Sequence, residues 1–529
     1  MRKTDKINNQ ALQVMEKIEM DAEIYNLKIY DIPVWWFIRV HFYNKLVNYL
    51  RDNFGQEQIA YSQEISIRNV IFSCKKICVL FLRMLVGFIR ILLYKIKKRE
   101  ILFLVYPTSF NIARNGIENN VSLGPIYRRL KERSVVVETM SLQSNDFYSL
   151  LFYKNAIFMD FVFAISFIKN IFKLLEPIKI DNWEAFKEKL NKINLEYVSQ
   201  KWILDTIEEL ILSMKNKIVL QTESARIILE NLKPKVIVET TSYNSGTLAL
   251  NFMAKKMGIP VVEIQHGLIP EFEIGYTYFI APYYVKERPL PDKILLYGEA
   301  FKENILKTGN GFSDQDLVVT GYLRMNNFLP KITTEKEAIK SVVRKKLGVK
   351  DDDFLITVTS QPGFNIFLVR FLEKVIPLLK KGIFICLKLH PLESVTENSV
   401  YKKLSTNSEI KIVNNKDMLD LYDLLIASNV HSTICSTVFL EAMALGIPNI
   451  ILKLPGYETV LRTVNQGDIM VVDSPEEFVN EVMHLKSDNI YRQMAITQAK
   501  QISKKFFADN KNTEEVIVKE IIKCMKNKC

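Results

Sequence analysis

The sequence predicts an α/β protein of two consecutive doubly wound, Rossmann-like domains with a cleft between them, preceded by a helical N-terminal segment. Two series of short apolar strands, each strand separated from the next by helix-length sequence, predict two parallel sheets. A charged stretch that contains Pro330 separates the two series. The length of 529 residues agrees, since single hydrophobic cores stop growing near ~250–300 residues. We place the helical segment at 1–99 and the domains at 100–330 and 331–529.

Composition and charge limit the classes of partner. Apolar residues make up 48% of the chain and charged residues 25%, as in a globular protein. Lys and Arg outnumber Asp and Glu by 71 to 59, and the net charge of +12 predicts an anionic partner such as anionic lipid, a nucleotide-sugar or nucleic acid. Background composition is the alternative explanation. We expect no nucleic-acid partner, because the sequence has no basic recognition helix, zinc-ligand spacing or RNP-like aromatic strand.

Cysteine usage and the N-terminus bear on location. The six cysteines include no CxxC pair and no neighbouring histidine at ligand spacing, which favours a reducing cytoplasm. The first ten residues, MRKTDKINNQ, are polar and no apolar h-region follows. We therefore expect a cytoplasmic protein without a signal peptide.

The N-terminal segment is predicted to associate with a membrane. Residues 1–70 are predicted to be mainly helical, with an aromatic cluster at 35–37 and no assigned chemistry. The following stretch, 75–100, carries a basic stripe at seven-residue intervals on an otherwise apolar helix, made of Lys76, Arg83, Arg90 and Lys97. It has no window of eighteen uncharged residues, so we expect it to lie in the interface with the stripe facing anionic lipid. A second apolar stretch at 147–175 is a candidate for the same role, and packing of both helices on the first domain is the alternative.

The strands of both domains are short and apolar on both faces, as buried parallel strands are. Those of the first domain are predicted at 101–107, 134–140, 236–240, 260–267, 293–298 and 317–322, with helices at 124–133, 181–232 and 245–257. Those of the second are predicted at 354–360, 384–389, 410–414, 448–453 and 469–473. Ligands of such sheets bind in the crevice at the carboxyl ends of the strands.

Three of the five histidines are predicted to lie at strand ends, namely His266, His390 and His431. Imidazole exchanges protons or binds phosphate near neutral pH, so the cluster indicates a functional site. A structural role for each histidine is the alternative.

Hydroxyl side chains precede the helix that ends near Gly446, at Ser432, Thr433, Ser436 and Thr437. Hydroxyls, free backbone N–H groups and the helix dipole together favour a pyrophosphate. Glu441, one turn further in, is placed to meet ribose hydroxyls. Plain N-capping is the alternative, but it needs only one hydroxyl.

The turn Ser360-Gln361-Pro362-Gly363 follows the first strand of the second domain, where backbone meets a ligand. The sequence lacks the GxGxxG fingerprint of dinucleotide-dependent dehydrogenases and the GxxxxGK[ST] loop of P-loop proteins, which argues against both classes.

In the first domain, Glu239 ends a predicted strand that faces the same gap. A group that deprotonates an acceptor hydroxyl must be a carboxylate or an imidazole, so Glu239 and His266 are the candidate catalytic bases. Helix capping or ion pairing is the alternative for Glu239.

Over roughly residues 230–475 the sequence resembles bacterial capsule and lipopolysaccharide glycosyltransferases of the GT-B fold. Their relatives include Kdo transferases, sialyltransferases, CDP-glycerol glycerophosphotransferases and UDP-N-acetylglucosamine 2-epimerases. The matching segments are GIPVVEIQHG at 258–267, SQP at 360–362, KLHP at 388–391 and the run from Ser432 to Pro448.

The resemblance implies a donor nucleotide in the second domain, with His390, Ser436 and Thr437 on its phosphates and Glu441 near the ribose. The predicted donor-binding set also includes Ser360, Gln361, Lys388, Ser432 and Thr433. Imidazole, lysine and helix dipole would neutralise the leaving group, so we expect neither metal nor cofactor.

Together these observations predict transfer of a sugar from a nucleotide-sugar to a lipid-linked or polysaccharide acceptor at the inner face of the plasma membrane. The product would be a capsule, O-antigen or related surface glycan. Three alternatives stay open: polyol-phosphate transfer from a CDP-linked donor, nucleotide-sugar epimerisation, and a non-catalytic role in polysaccharide assembly.

Overall fold

The computed structural model describes residues 3–53, 74–94, 99–105, 111–113, 116–118, 123–138, 156–281, 288–391, 393, 395, 399–414, 417, 419–509 and 512–526. The N-terminal part contains three helices and a short antiparallel β-hairpin. In chain order these elements are α1 (Lys3–Asp21), β1 (Lys28–Ile29), β2 (Ile32–Pro33), α2 (Trp35–Asn53) and α3 (Cys74–Tyr94).

The first domain is built on a parallel sheet. Its region contains β3 (Ile101–Val105), β4 (Asn111–Ala113), β5 (Gly116–Glu118), β6 (Ser134–Glu138), β7 (Ala156–Phe158), β8 (Val236–Glu239), β9 (Val261–Ile264), β10 (Lys293–Leu296) and β11 (Leu317–Val319). Apart from the β4–β5 hairpin, these strands pair in the order β7-β6-β3-β8-β9-β10-β11, and every pair is parallel. The strand order reverses between β3 and β8, which is the doubly wound Rossmann arrangement.

Helices cover both faces of this sheet. Those between its strands are α4 (Gly124–Leu130), α5 (Asp160–Leu175), α6 (Trp183–Lys192), α7 (Gln200–Leu232), α8 (Ser245–Lys256) and α9 (Glu299–Lys307). Side chains of alternate strand residues enter different cores, since successive residues of a strand point to opposite faces. Most residues of these strands are therefore apolar, as the sequence predicts, and the buried exceptions include Glu138, Glu239 and Glu263.

The second domain repeats the arrangement on a six-stranded parallel sheet. Its strands are β12 (Phe354–Thr359), β13 (Ile383–Lys388), β14 (Ile410–Val413), β15 (Val430–Thr433), β16 (Asn449–Leu452) and β17 (Met470–Val472). They lie in the order β14-β13-β12-β15-β16-β17, so the order reverses between β12 and β15. The predicted fold class, two doubly wound domains of the GT-B kind, is confirmed by these two strand orders.

The remaining helices connect the domains and complete them. They are α10 (Leu323–Leu347), α11 (Asn365–Val375), α12 (Leu421–Ala427), α13 (Val438–Ala444), α14 (Glu458–Leu461), α15 (Pro475–Ser487), α16 (Asn489–Phe506) and α17 (Thr513–Met525). The predicted connection around Pro330 is the helix α10, so the predicted boundary at 330 falls inside a helix. That boundary stays a proposal.

The last helix returns to the first domain. Ile517 and Ile521 of α17 are buried in one core with Phe103, Val238 and Val262 of the first sheet. The predicted second domain, 331–529, includes α17, but this helix packs its apolar stripe on the first sheet. It lies beside α4 there and completes the same core.

The segment before α3 belongs to the core of the first domain. Trp35 and Trp36 are buried, and α2 packs against α7. The guanidinium of Arg39 is buried, bonds Glu19 at 2.5 Å, and donates to the carbonyl oxygens of Ile274 (2.6 Å) and Thr277. Residues 3–53 thus hold the loop that follows β9. Membrane association of the predicted segment 1–99 stays a prediction.

The basic stripe of α3 points inward where the structure describes it, which corrects the expectation that it faces lipid. Arg83 is only 1% exposed and bonds Glu138 (2.8 Å) and Asp160 (3.0 Å). Arg90 is half-buried and donates to the carbonyl oxygen of Ala156 at 3.1 Å. The side chain of Lys76, and Lys97 as a whole, lie outside the described residues. None of the helices in the described ranges combines the length and apolar character needed to cross a bilayer.

Replacing Arg39 with Met is expected to lower the free energy of unfolding of the first domain by roughly 3–5 kcal/mol, because Glu19 is then left as a buried, unpaired charge. Urea unfolding followed by tryptophan fluorescence measures this, since all four tryptophans precede residue 203 and report on the first domain. The matched control is Lys45→Met, which removes an exposed ion pair with Glu209 and should cost at most about 1 kcal/mol. Equal effects of the two variants would contradict a structural role for the Arg39 pair.

Candidate active site

The candidate residues lie at the carboxyl ends of the strands, on both sides of the boundary between the domains. Ser360 and Gln361 directly follow β12, and Ser436 and Thr437 follow β15, so the two pairs flank the point where the strand order of the second sheet reverses. In open α/β sheets this is the position at which ligands bind.

Two contacts join the corresponding edges of the two domains. The amide of Glu271, in the loop after β9, donates to the carbonyl oxygen of Arg462 at 3.2 Å. The hydroxyl of Tyr322, just after β11, donates to Glu441 of α13 at 2.9 Å. The carboxyl edges of the two sheets are therefore neighbours across the domain boundary.

The hydroxyl of Ser360 links the loops after β12 and β13. It accepts the backbone amide of His390 at 2.9 Å and donates to Glu393 at 2.5 Å. The other oxygen of Glu393 accepts the hydroxyl of Tyr401 at 2.7 Å. These bonds fix the backbone on which His390 is carried, so the geometry favours a positioning role for Ser360.

His390 and Lys388 are half-buried beside this network. Desolvation lowers the pKa of His390, against the opposing effect of the Glu393 charge, and desolvation lowers the pKa of Lys388 as well. A neutral imidazole at pH 7 has one N–H donor to offer to a phosphate oxygen. Gln361 is half-buried and accepts the thiol of Cys435 at 2.9 Å.

The hydroxyl cluster divides into two pairs. Ser432 and Thr433 are buried in β15 and donate to the carbonyl oxygens of Ile450 (2.7 Å) and Thr359 (3.1 Å). Ser436 and Thr437 are half-buried at the start of α13. The geometry thus favours phosphate contacts for the second pair and a sheet-stabilising role for the first.

His431 does not lie at a strand end, which corrects the predicted trio of histidines. It is fully buried within β15, opposite Thr357 and Asn449. Its ring nitrogens lie 2.5 Å from Oδ1 of Asn449 and 2.9 Å from the hydroxyl of Thr359, and desolvation lowers its pKa to about 4. It is a neutral core residue, and two strand-end histidines remain.

Glu441 is buried at the domain boundary. Its Oε1 accepts the hydroxyls of Tyr322 at 2.9 Å and Tyr422 at 2.8 Å, and the Arg324 guanidinium lies over the Tyr422 ring at 4.2 Å. One carboxylate oxygen is therefore engaged in holding the two domains together. The ribose contact of Glu441 stays a prediction.

Glu239 is fully buried at the end of β8, where the amide of Asn251 donates to it at 2.9 Å. It lies opposite Glu263 in the sheet. Desolvation, reinforced by the Glu263 charge, raises the pKa of Glu239 well above its usual range. The carboxyl does not reach the surface, so this position does not favour the catalytic role that the sequence predicts for Glu239.

His266 is exposed just after β9 and is the candidate base that the structure leaves accessible. The protein atoms around the ring still desolvate its charged form and lower its pKa. Its Nε2 lies 3.5 Å from the hydroxyl of Tyr243, whose ring packs edge-on against Tyr276 at 5.6 Å. Tyr276 in turn donates to Glu263 at 2.5 Å. The support from Tyr243, Tyr276 and Glu263 was not predicted, although a carboxyl within the apolar run PVVEI is a signal for it.

Across the described ranges, no three His, Cys, Asp or Glu side chains come together as metal ligands would. Metal independence stays a prediction.

No protein family matches the sequence, and no curated protein does either. Among solved structures, the chain is similar to UDP-GlcNAc 2-epimerase from Neisseria meningitidis bound to UDP-GlcNAc, at 16% identity and a TM-score of 0.48, covering 80% of this chain and all of that one. S. aureus MnaA with UDP gives 15% identity and a TM-score of 0.49, covering 82% and 98%. The wall teichoic acid polymerase TagF, as an H-to-N variant soaked with CDPG, gives 13% identity and a TM-score of 0.45, covering 86% and 99%.

The buried carboxyl of Glu263, which lies opposite Glu239 in the sheet, should make the free energy of unfolding depend measurably on pH. Desolvation raises the pKa of Glu263 from 4.5 to about 7. Between these values the folded protein holds a proton that the unfolded chain has released, so stability falls as the pH rises through this window. In Glu263→Gln, which keeps an oxygen for Tyr276 and carries no charge, we expect this fall to be smaller by roughly 3 kcal/mol, at about 1.4 kcal/mol per pKa unit.

Urea unfolding at about pH 5 and about pH 7.5 measures the difference. The control Glu209→Gln changes an exposed carboxylate of the same domain. Its free energy of unfolding should change between the two pH values by the same amount as that of the unmodified protein. Parallel behaviour of Glu263→Gln and the unmodified protein would contradict a raised pKa for Glu263.

Proposed function

We propose that the protein is a metal-independent glycosyltransferase that moves a sugar from a nucleotide-sugar donor to a cell-surface polysaccharide or its lipid-linked precursor. The observation that carries the proposal is the pair of doubly wound sheets whose carboxyl edges are neighbours, with polar loops of both domains at that boundary. The motif resemblance over roughly residues 230–475 supports the choice of chemistry.

The second domain would bind the donor. Ser436 and Thr437 offer hydroxyls at the start of α13, beside the point where the strand order reverses. Lys388 is the last residue of β13, and His390 follows that strand. Together they supply N–H, O–H and ammonium donors to a pyrophosphate. As the bond between sugar and phosphate breaks, negative charge grows on the leaving nucleotide, and donors fixed in place before the reaction stabilise it. Ser360 and Glu393 keep the His390 backbone in position.

The first domain would bind the acceptor and supply the base. His266 is accessible, and its lowered pKa keeps the imidazole neutral, and so able to accept a proton, near pH 7. Tyr243 and Tyr276 limit the movement of the ring. We place the reaction at the cytoplasmic face of the plasma membrane, where a lipid-linked acceptor is available.

Histidine substitutions separate the two roles. We expect His390→Ala to weaken donor binding, and His266→Ala to retain donor binding but transfer sugar ~10²–10⁴-fold more slowly, as is usual for the loss of a general base. Thermal shift with CMP-, UDP- and GDP-sugars measures the first effect, and product formation measures the second. The control His484→Ala changes an exposed histidine that stacks on Tyr491 of α16, and should leave both unaffected.

Including CDP-glycerol in the panel tests the alternative of polyol-phosphate transfer. If CDP-glycerol were the only compound that stabilises the protein, the proposed function would change to polyol-phosphate transfer at the same site. Stabilisation by no nucleotide conjugate, or unchanged transfer by His266→Ala, would sink the proposal.

A further inference from the structure

Two neighbouring helices of the first domain, α3 and α5, bury polar side chains and expose apolar ones, the reverse of an ordinary surface helix. A surface helix normally buries an apolar stripe and exposes a polar one. The helix α3 instead turns Arg83 and Arg90 toward the sheet, and α5 buries Asp160, Ser166 and Asn170. These polar side chains of the two helices therefore face the interior of the protein and not the solvent.

Specific contacts hold this inverted arrangement in place. In addition to the ion pairs of Arg83, the hydroxyls of Ser166 and Ser224 lie 2.9 Å apart between α5 and α7. Gly87 brings α3 close to the sheet, since a Cβ added there would stand 2.8 Å from the carbonyl oxygen of Phe158. The two helices cannot rotate about their axes without breaking buried ion pairs.

Large apolar side chains consequently face solvent. Of the 21 large hydrophobic side chains exposed among the described residues, 12 lie on these two helices. We call this surface the α3–α5 apolar face, and it consists of Phe81, Leu82, Leu85, Phe88, Ile89, Leu92, Leu93, Phe167, Ile168, Ile171, Phe172 and Leu175. The two halves are contiguous, because the Phe88 ring packs 5.0 Å from that of Phe161 in α5. A concentration of this kind marks an interaction surface.

The charge around the apolar face selects its partner. Besides the inward-facing Arg83 and Arg90, the sequence of residues 65–99 contains seven Lys and Arg and no Asp or Glu, and three of the seven lie in the four positions directly after α3 in the sequence. On α5, Lys169 and Lys173 are exposed among the apolar side chains. Anionic lipid headgroups above an acyl layer match this combination of cations and apolar surface. A second copy of the chain would bring two sets of like charges together.

We propose that the α3–α5 apolar face inserts into the acyl boundary of an anionic phospholipid monolayer, with the surrounding lysines on the headgroups. The face lies beside the carboxyl edge of the first sheet, since Arg83 bonds Glu138, the last residue of β6. Insertion holds that edge, which also carries His266, next to the membrane. That a lipid-linked acceptor then reaches His266 rests on the proposed function, whereas insertion itself does not.

Vesicle co-sedimentation tests the insertion. The unmodified protein should bind vesicles of phosphatidylcholine mixed with phosphatidylglycerol, and bind vesicles of phosphatidylcholine alone more weakly. The triple variant Ile168→Gln, Phe172→Gln, Leu175→Gln removes the three most exposed side chains of α5 (71%, 82% and 79% exposed) and should lower the partition coefficient about tenfold or more. Because these side chains make few contacts within the protein, folding should be preserved, as circular dichroism would record.

The matched control is Leu212→Gln, Ile490→Gln, Met494→Gln, which removes three large apolar side chains outside the face that are also more than half exposed (53%, 75% and 65%). It should bind vesicles like the unmodified protein. Absent vesicle binding, unchanged binding of the α5 triple variant, or equal loss in both triple variants would overturn the proposal. So would a dimer in solution that the α5 triple variant dissociates while vesicles go unbound. Donor thermal shifts of the same proteins report separately on the proposed function, which fails alone if vesicles bind and no donor does.

Discussion

Parallel pairing in both sheets is the constraint on which the candidate site depends. Each crossover returns the chain to the same side, so all strands of a sheet end at one edge, and the reversal of strand order opens a crevice at that edge. The loops after β8, β9, β12, β13 and β15 therefore gather at the domain boundary although they are scattered over some two hundred residues. A single antiparallel strand among them would have sent its loop to the far side.

The strands could be predicted from the sequence where burial demands apolar residues throughout, as in β3. Two strands of the two large sheets were not predicted, β15 and β7. β15 carries His431, Ser432 and Thr433, and these are tolerated inside the sheet because β12 and β16 supply their hydrogen-bond partners. β7 has three residues and lies within the longer apolar stretch 147–175, so its pattern resembles that of the helix that follows.

Side-chain direction was harder to predict than position, because it is decided by distant partners. Spacing correctly indicated the helix α3 and its basic stripe, but the orientation depends on Glu138 and Asp160, which lie 55 and 77 residues away. Likewise Glu441 meets Tyr322, 119 residues earlier. Of the predicted site residues, Glu239, Ser432 and Thr433 are buried in the core. The others that are at least partly accessible include His266, His390, Lys388, Ser436 and Thr437. No local pattern separates these two groups.

Because α17 packs on the first sheet, the core of the first domain contains residues that are synthesised after the second domain. Phe103 and Val238 pack against Ile517 and Ile521, which leave the ribosome some three hundred to four hundred residues later. The part of the first domain that is made first therefore has an uncovered apolar patch until α17 has been synthesised. Domains commonly fold one after another as they emerge. In this protein the core of the first domain becomes complete only after α17 has been made, so the first domain cannot finish folding before the second domain has been synthesised.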